Sequence, residues 1–279
     1  MTTNIEEHLE KIKDHCRIVD SKVGEFLIWA NDNTISYAIF LYGEYCDAEV
    51  EIMSRYLNEN SLYLDIGTNI GYHARAIAQR NSCDVLAFEP HINHFTVAAY
   101  NCQNYPVKLF NAAVSDKQTT MMISDFNYAE PSNFGTVAID EKGSIEVQVI
   151  TIDQLELNTC TLMKIDTEGQ ELNVLKGAEN TINAHRPVIY YEAIGEDDWI
   201  PSHDHLLAKG YKQYWMGVRT FPVSGNYKNS TENPFGSSGV TNILAIPEER
   251  EQPDDMMPVF GHESYNSMIA RFSKIKMVF

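Results

Sequence analysis

The sequence predicts one α/β domain built around a mostly parallel sheet, and three observations carry that prediction. Apolar, strand-like runs alternate with helix-like stretches from residue 61 to residue 192. Several of these runs end in a carboxylate: Asp65, Glu89, Asp166 and Glu192. A glycine turn, Gly67-x-Asn69-x-Gly71, joins the first run to a helix without slack. The expected organisation is a hairpin and helix extension over residues 1–60, a core over 61–247 with a β insertion at 115–157, and an extension over 248–279.

Each element has its own signal. Ile5, Leu9 and Ile12 recur at helical spacing near the start. Residues 16–29 and 34–41 read as two strands around the polar turn 30–33, and residues 47–57 as a helix that delivers the chain to residue 61. The first core strand, 61–64 running straight into Asp65, leads through the glycine turn into a helix at 72–79. Residues 84–88 form the second strand, stopped by Pro90, and residues 91–104 the following helix. Residues 107–114 form the third. Strand–helix alternation then lapses, and short β segments at 118–124, 136–139 and 145–150 suggest an inserted ribbon that walls a substrate site. Residues 161–166 resume the sheet. Helices at 170–176 (Gly177 as its C-cap) and 178–184 precede the fifth strand, 188–192. A helix at 199–209 and an antiparallel pair, 211–218 and 242–246, complete the sheet. Between that pair lies a Gly-, Asn- and Ser-rich segment, 221–239, expected as a mobile loop. Residues 248–255 read as an acidic linker and 264–279 as a weak helix.

Composition narrows the function. The 279 residues are 44% hydrophobic and 22% charged, as in ordinary globular proteins. Lys+Arg number 21 against 39 Asp+Glu, a net charge of −18. That field disfavours nucleic acid and anionic membrane surfaces. Five scattered cysteines without a C-x-x-C pair predict reduced thiols rather than disulfides or a zinc knuckle. No secretory leader or membrane-spanning run is visible, so a cytoplasmic location is expected. Oligomeric state is not indicated.

The glycine turn identifies the class of ligand. A dinucleotide fingerprint offers bare backbone N–H groups to a pyrophosphate, which a carboxylate at the strand end would repel. Here Asp65 occupies that point and Asn69 replaces the middle glycine. A carboxylate suits a cation, and S-adenosylmethionine carries a sulfonium and an ammonium group. Asp65 is therefore expected to hold the ammonium, directly or through water, while Gly67 and Gly71 make room for the methionine tail and Asn69 bonds the tail or the turn. Glu89 follows Gly67 by 22 residues, near the spacing of a carboxylate that holds ribose hydroxyls. Asn111 and Ala112, at the next strand exit, are small enough to flank an adenine. A dinucleotide-dependent oxidoreductase is the competing enzyme reading, and a scaffold that kept the fold without chemistry is the non-enzyme one.

These residues, in order, resemble a known family. Asp65-Ile66-Gly67-Thr68-Asn69-Ile70-Gly71-Tyr72, Phe88-Glu89-Pro90, Asn111-Ala112-Ala113-Val114-Ser115-Asp116 and Lys164-Ile165-Asp166-Thr167-Glu168-Gly169-Gln170-Glu171 with Val174-Leu175-Lys176-Gly177-Ala178 are similar to the FkbM methyltransferases. The similarity covers about residues 40–195, with a looser match at 242–247. Thr68 stands where alanine is common. The resemblance implies a class I methyltransferase (Rossmann-like) fold, a seven-stranded sheet with its last strand antiparallel and helices on both faces. It also implies methyl transfer to a hydroxyl of a sugar, polysaccharide unit or small natural product, and, through the family's lead-in, Tyr42 and Glu44 closing over the cofactor.

Asp166 and Glu168 are the expected catalytic pair, with Asp166 also facing the cofactor's sulfonium. Two neighbouring carboxyls can raise one another's pKa toward neutrality, which suits a base for a hydroxyl. Glu171 reads as structural and Glu192 as a further acceptor-site group. No explicit metal-ligand set is present and none is expected, although Asp166, Glu168 and Glu192 form the candidate set for a divalent cation. His73, His91 and His94 read as packing or surface histidines.

Overall fold

The computed structural model describes residues 5–137, 142–193 and 195–262. Its elements, in chain order, are α1 (Ile5–Ile12), β1 (Cys16–Val19), β2 (Phe26–Trp29), α2 (Ile35–Tyr42), α3 (Asp47–Ser54), β3 (Leu62–Ile66), α4 (Tyr72–Asn81), β4 (Asp84–Phe88), α5 (Ile92–Cys102), β5 (Val107–Phe110), β6 (Ala113–Val114), β7 (Thr119–Ile123), β8 (Ile145–Ile150), β9 (Leu162–Ile165), α6 (Glu171–Gly177), α7 (Glu179–His185), β10 (Val188–Glu192), α8 (Glu196–Leu207), β11 (Tyr211–Arg219), β12 (Gly239–Pro247) and β13 (Met257–Pro258).

The main sheet has the order β13-β11-β12-β10-β9-β3-β4-β5. The run from β5 to β10 is parallel, and β12 enters antiparallel between β10 and β11. The expected seven strands are present, with the two-residue β13 added at the edge through pairs to Tyr214 and Trp215. The order reverses where β3 and β9 meet, since β4 and β5 extend one way and β10 onward the other. Ligands of open α/β sheets bind at such a point, beyond the carboxyl ends of the strands.

Buried apolar side chains cover both faces. One cluster joins Tyr63, Val85, Leu162 and Tyr190 to Phe26, Ile28, Trp29 and Ile39. The first sixty residues therefore share a core with the sheet. The other cluster joins Ile165, Ile189 and Tyr191 to Val174, Trp199 and Trp215. All five cysteines are free, as expected.

Three expectations on element type need correction. Residues 34–41 form helix α2, not a strand, and the hairpin is β1–β2. The Asp32 carboxylate accepts hydrogen bonds from the Thr34 and Ser36 N–H groups at the start of α2. Gly43, with φ of 75°, ends the helix by donating to the Ile39 carbonyl. An apolar run this short has no decisive period, so the caps settle it. The third strand divides at residues 111–112, with β5 staying in the main sheet and β6 joining a separate sheet of order β6-β8-β7. Thr136 and Val137 are not strand residues, and the rest of the segment expected at 136–139 lies outside the described residues. So does the weak helix expected at 264–279, apart from which residues 257–258 supply β13.

Gly177 is the last residue of α6 rather than its left-handed cap. A Cβ there would lie 1.9 Å from the Ser115 carbonyl oxygen, so glycine is required for close backbone approach. Segment 221–239, expected as a loop, lies against α2. The Tyr42 hydroxyl donates to the Glu232 carbonyl, and Phe235 packs against Tyr37 and Tyr42.

Candidate active site

A cavity of about 520 Å³ opens at the reversal point of the sheet. Its lining holds two sets of groups: Gly67, Asn69, Glu89 and Ala112 from the exits of β3, β4 and β5, and Asp166, Glu168, Gln170 and Glu192 from the exits of β9 and β10, the two sets meeting where Gly67 touches Asp166. Val114, Met121, Ile123 and Val147 from the small sheet supply an apolar wall, which is the role expected of the ribbon.

The turn after β3 is held tightly against its neighbours. Gly67 has φ of 84°, and a Cβ there would lie 1.8 Å from the Asp166 carbonyl oxygen. Both Gly67 and Thr68 N–H groups donate to the Phe88 carbonyl. Asn69 is also left-handed, with φ of 50°. Its side-chain oxygen accepts from the Ile70 N–H, and its amide donates to the Phe134 carbonyl. Gly71 does not line the cavity: it starts α4 at φ of 82°, where a Cβ would press on Cys102 and Ala98.

Glu89 is 3% exposed and has both oxygens engaged, one by the His91 N–H at 2.8 Å and one by the Asn69 N–H at 3.0 Å. Burial outweighs those bonds and pushes its pKa up to about 8. Asn111 does not line the cavity. It donates to the Glu89 and Pro90 carbonyls and thereby fixes the strand exit that presents Glu89, while its neighbour Ala112 is in the wall.

Asp65 stands behind the cavity wall rather than in it, at 0% exposure. The Thr68 hydroxyl donates to it at 2.7 Å, so the unusual Thr68 supports the carboxylate. Beside it in register on β9 is Lys164, whose Nζ lies 3.7 Å from Asp65 and 2.9 Å from Asp166. Sequence reasoning gave Lys164 no role. The available signal was a lysine inside a core strand, a position tolerated only with charged partners. Burial opposes its charge, but Asp166 and Asp65 together hold its pKa above the usual lysine range.

The carboxyl cluster is built by one unusual turn. Glu168 is a left-handed non-glycine residue, φ 53°, followed by Gly169 at φ 92°. The Glu171 carboxylate organises this turn by accepting from the Thr167 N–H, the Thr167 hydroxyl and the Gly169 N–H. That is the structural role expected of Glu171. The turn and the end of β10 bring Asp166, Glu168 and Glu192 together, with carboxylate oxygens all within 4.8 Å of one another.

The three groups titrate differently. Burial raises Asp166, but the Lys164 charge and hydrogen bond outweigh it and hold the group below the usual carboxylate range. Burial, then the charges of Asp166 and Glu171, push Glu168 up to about 7. Burial and the adjacent Asp166 push Glu192 up to about 10, so this pair shares a proton at neutral pH. Glu192 Oε2 is buried with no hydrogen-bond partner among the described residues. The same three oxygens offer the set from which a divalent cation would be held.

Other expectations resolve by position. His73, His91 and His94 are all buried and none lines the cavity, so they are packing groups. Tyr42 and Glu44 do not reach the cavity either: Glu44 accepts from the Tyr227 N–H, and both side chains anchor segment 221–239. Their neighbour Tyr45 is in the wall.

Sequence comparison then decides the family. The methyltransferase FkbM domain model matches residues 65–212, just over half of the chain. The chain belongs to this family. A curated relative, the hexuronic acid methyltransferase AglP of Haloferax volcanii, is 28% identical over 152 residues. That match covers 53% of this chain and 62% of the relative, so the chain spans less than two thirds of the relative's length. Among solved structures, the FkbM methyltransferase of Methylobacillus flagellatus is similar with TM-score 0.46 and 15% identity, covering 68% of this chain and 44% of that one. Precorrin-6y C5,15-methyltransferase of Geobacter metallireducens is similar with TM-score 0.46 and 12% identity, covering 71% and 86%. Among the described residues, no helix is long and apolar enough to cross a membrane.

Proposed function

We propose that the protein is an S-adenosylmethionine-dependent O-methyltransferase whose acceptor is a hydroxyl of a sugar, polysaccharide unit or small natural product. Family membership supports methyl transfer, and the hexuronic acid relative supports a saccharide acceptor. The observation that carries the chemistry is the carboxyl cluster beside Gly67, where Glu168 has a pKa near neutrality.

The residues present fit the cofactor. The Gly67 turn, packed against the Asp166 carbonyl with no room for a Cβ, holds backbone at the cavity edge where the methionine tail is expected. Glu89, fixed by two N–H donors and Asn111, is presented for ribose hydroxyls, with Ala112 beside it for the adenine. Asp65 acts on the ammonium group from behind the wall, through water, with the Thr68 hydroxyl fixing its carboxylate, since it does not line the cavity. When bound, S-adenosylmethionine supplies a methyl group activated by a sulfonium centre.

The protein's task is then to align an acceptor oxygen and take its proton. Glu168 is the base: ionised above about pH 7, it accepts the hydroxyl proton at its carboxylate oxygen. Asp166, kept ionised by Lys164, is a poor base and orients the hydroxyl by accepting a hydrogen bond. Glu192, protonated and paired with Asp166, keeps the two carboxyls from repelling each other. Calorimetric titration with S-adenosylmethionine, followed by methyl transfer from the labelled cofactor to saccharides, tests the proposal. Micromolar binding and a labelled ether product are expected, whereas no cofactor binding would refute it.

A further inference from the structure

The acceptor part of the cavity carries information about charge. Asp166, Glu168 and Glu192 line it, and among the described residues no Lys, Arg or His lines any part of the cavity. The nearest cation, Lys164, comes from behind the wall and is already shared between Asp166 and Asp65. Two of the backbone donors here are also taken. Thr167 and Gly169 N–H groups, which would otherwise offer a place for a substrate anion, both donate to Glu171. What remains is the carboxyl cluster, together with Gln170, Thr220 and Ser238, which can donate and accept but carry no charge. Neutral hydroxyls satisfy such a wall; a carboxylate or phosphate would face it with no cationic partner and beside like charge.

We infer that the sugar unit receiving the methyl group is uncharged where it meets this wall, with no carboxylate or phosphate beside the reacting hydroxyl. The inference rests on the proposed methyl-transfer role of the cavity. Carboxylate side chains at the end of a cleft bind polyols through paired hydroxyl donors, so the acidic wall is a selectivity device as well as a source of base.

The test uses the full chain, labelled S-adenosylmethionine and a panel of aldopyranosides, each paired with its uronate and its uronamide, in low salt with EDTA. The uronamide keeps the uronate's shape and removes its charge. Expected is methylation of the aldopyranoside and uronamide of a pair with kcat/KM at least about tenfold above the uronate, the gap narrowing as salt screens the repulsion. Equal or preferred methylation of the uronate would overturn the inference, as would uronate methylation that appears on adding Mg²⁺. Cofactor binding in calorimetry with no member of the panel methylated would count against the saccharide acceptor and this inference with it. Absence of cofactor binding would instead remove the methyltransferase reading on which both stand.

Discussion

The two sets of residues that line the cavity are built on different terms. In the Gly67 set most polar groups are satisfied before any ligand arrives: Glu89 has two N–H donors, Asn111 bridges two carbonyls, and the turn is pinned to Phe88, while Asp65 Oδ1 behind the wall has only the Lys164 charge 3.7 Å away. In the Asp166 set hydrogen-bonding capacity is left over, with Glu192 Oε2 buried and unpartnered among the described residues and three carboxyls crowded together. A fully satisfied network is rigid and suits a site that holds one fixed ligand. A crowded, unsatisfied one shifts pKa values and suits a site where a proton moves.

Breaking the rigid set has the largest expected effect. Gly67→Ala forces a Cβ into the Asp166 carbonyl and a non-glycine residue to φ of 84°. A stability loss on the order of 3 kcal/mol is expected, with cofactor binding abolished, and a denaturant melt with calorimetry reads both. A fully stable variant would show that the turn can relax.

Glu168→Gln attacks the other set. Loss of a general base lowers kcat about 100-fold or more while the melt stays close to wild type. Undiminished turnover would move the base to another group.

The rate's pH dependence sharpens the contrast. With Glu168 at about 7, kcat/KM rises with pH through that value and levels off above it. The rising limb disappears in Glu168→Gln, and its persistence would assign the titration elsewhere.

The last contrast is in the pH dependence of stability. Burial raises Glu49 and Glu168 to about 7, Glu89 to about 8 and Glu192 to about 10. Each binds its proton more tightly folded than unfolded, so its contribution is complete below about pH 4.5 and is lost as pH rises through the folded value. Asp166, held low by Lys164, acts in the other direction, losing its contribution only on acidification. A lower Tm at pH 9 than at pH 5 is therefore expected by calorimetric scanning, and an unchanged Tm would show that these carboxyls are not held protonated in the folded chain.

The same division governs what could be read from sequence. The strand exits were legible because apolar runs ending in Asp or Glu mark local chemistry, and Gly67, Glu89, Asp166 and Glu168 all reach the cavity. Residues acting through a neighbour were misplaced. Asp65 and Asn111 stand behind the wall, and Lys164 was passed over, because parallel strand register, not chain spacing, puts Lys164 beside Asp65. Helix α2 was misread because its start depends on the Asp32 carboxylate bonding forward to Thr34 and Ser36. Left-handed Glu168 could not be anticipated, since nothing in a lone glutamate announces a positive φ.

The division of labour between the two sets is tested most directly by titrating S-adenosylmethionine into wild type, Glu89→Ala and Glu168→Gln in one calorimetric series. Glu89→Ala should bind at least about tenfold more weakly than wild type, through loss of hydrogen bonds to the ribose hydroxyls, and Glu168→Gln within about threefold of it. Weak binding by Glu168→Gln with unaltered binding by Glu89→Ala would contradict the account.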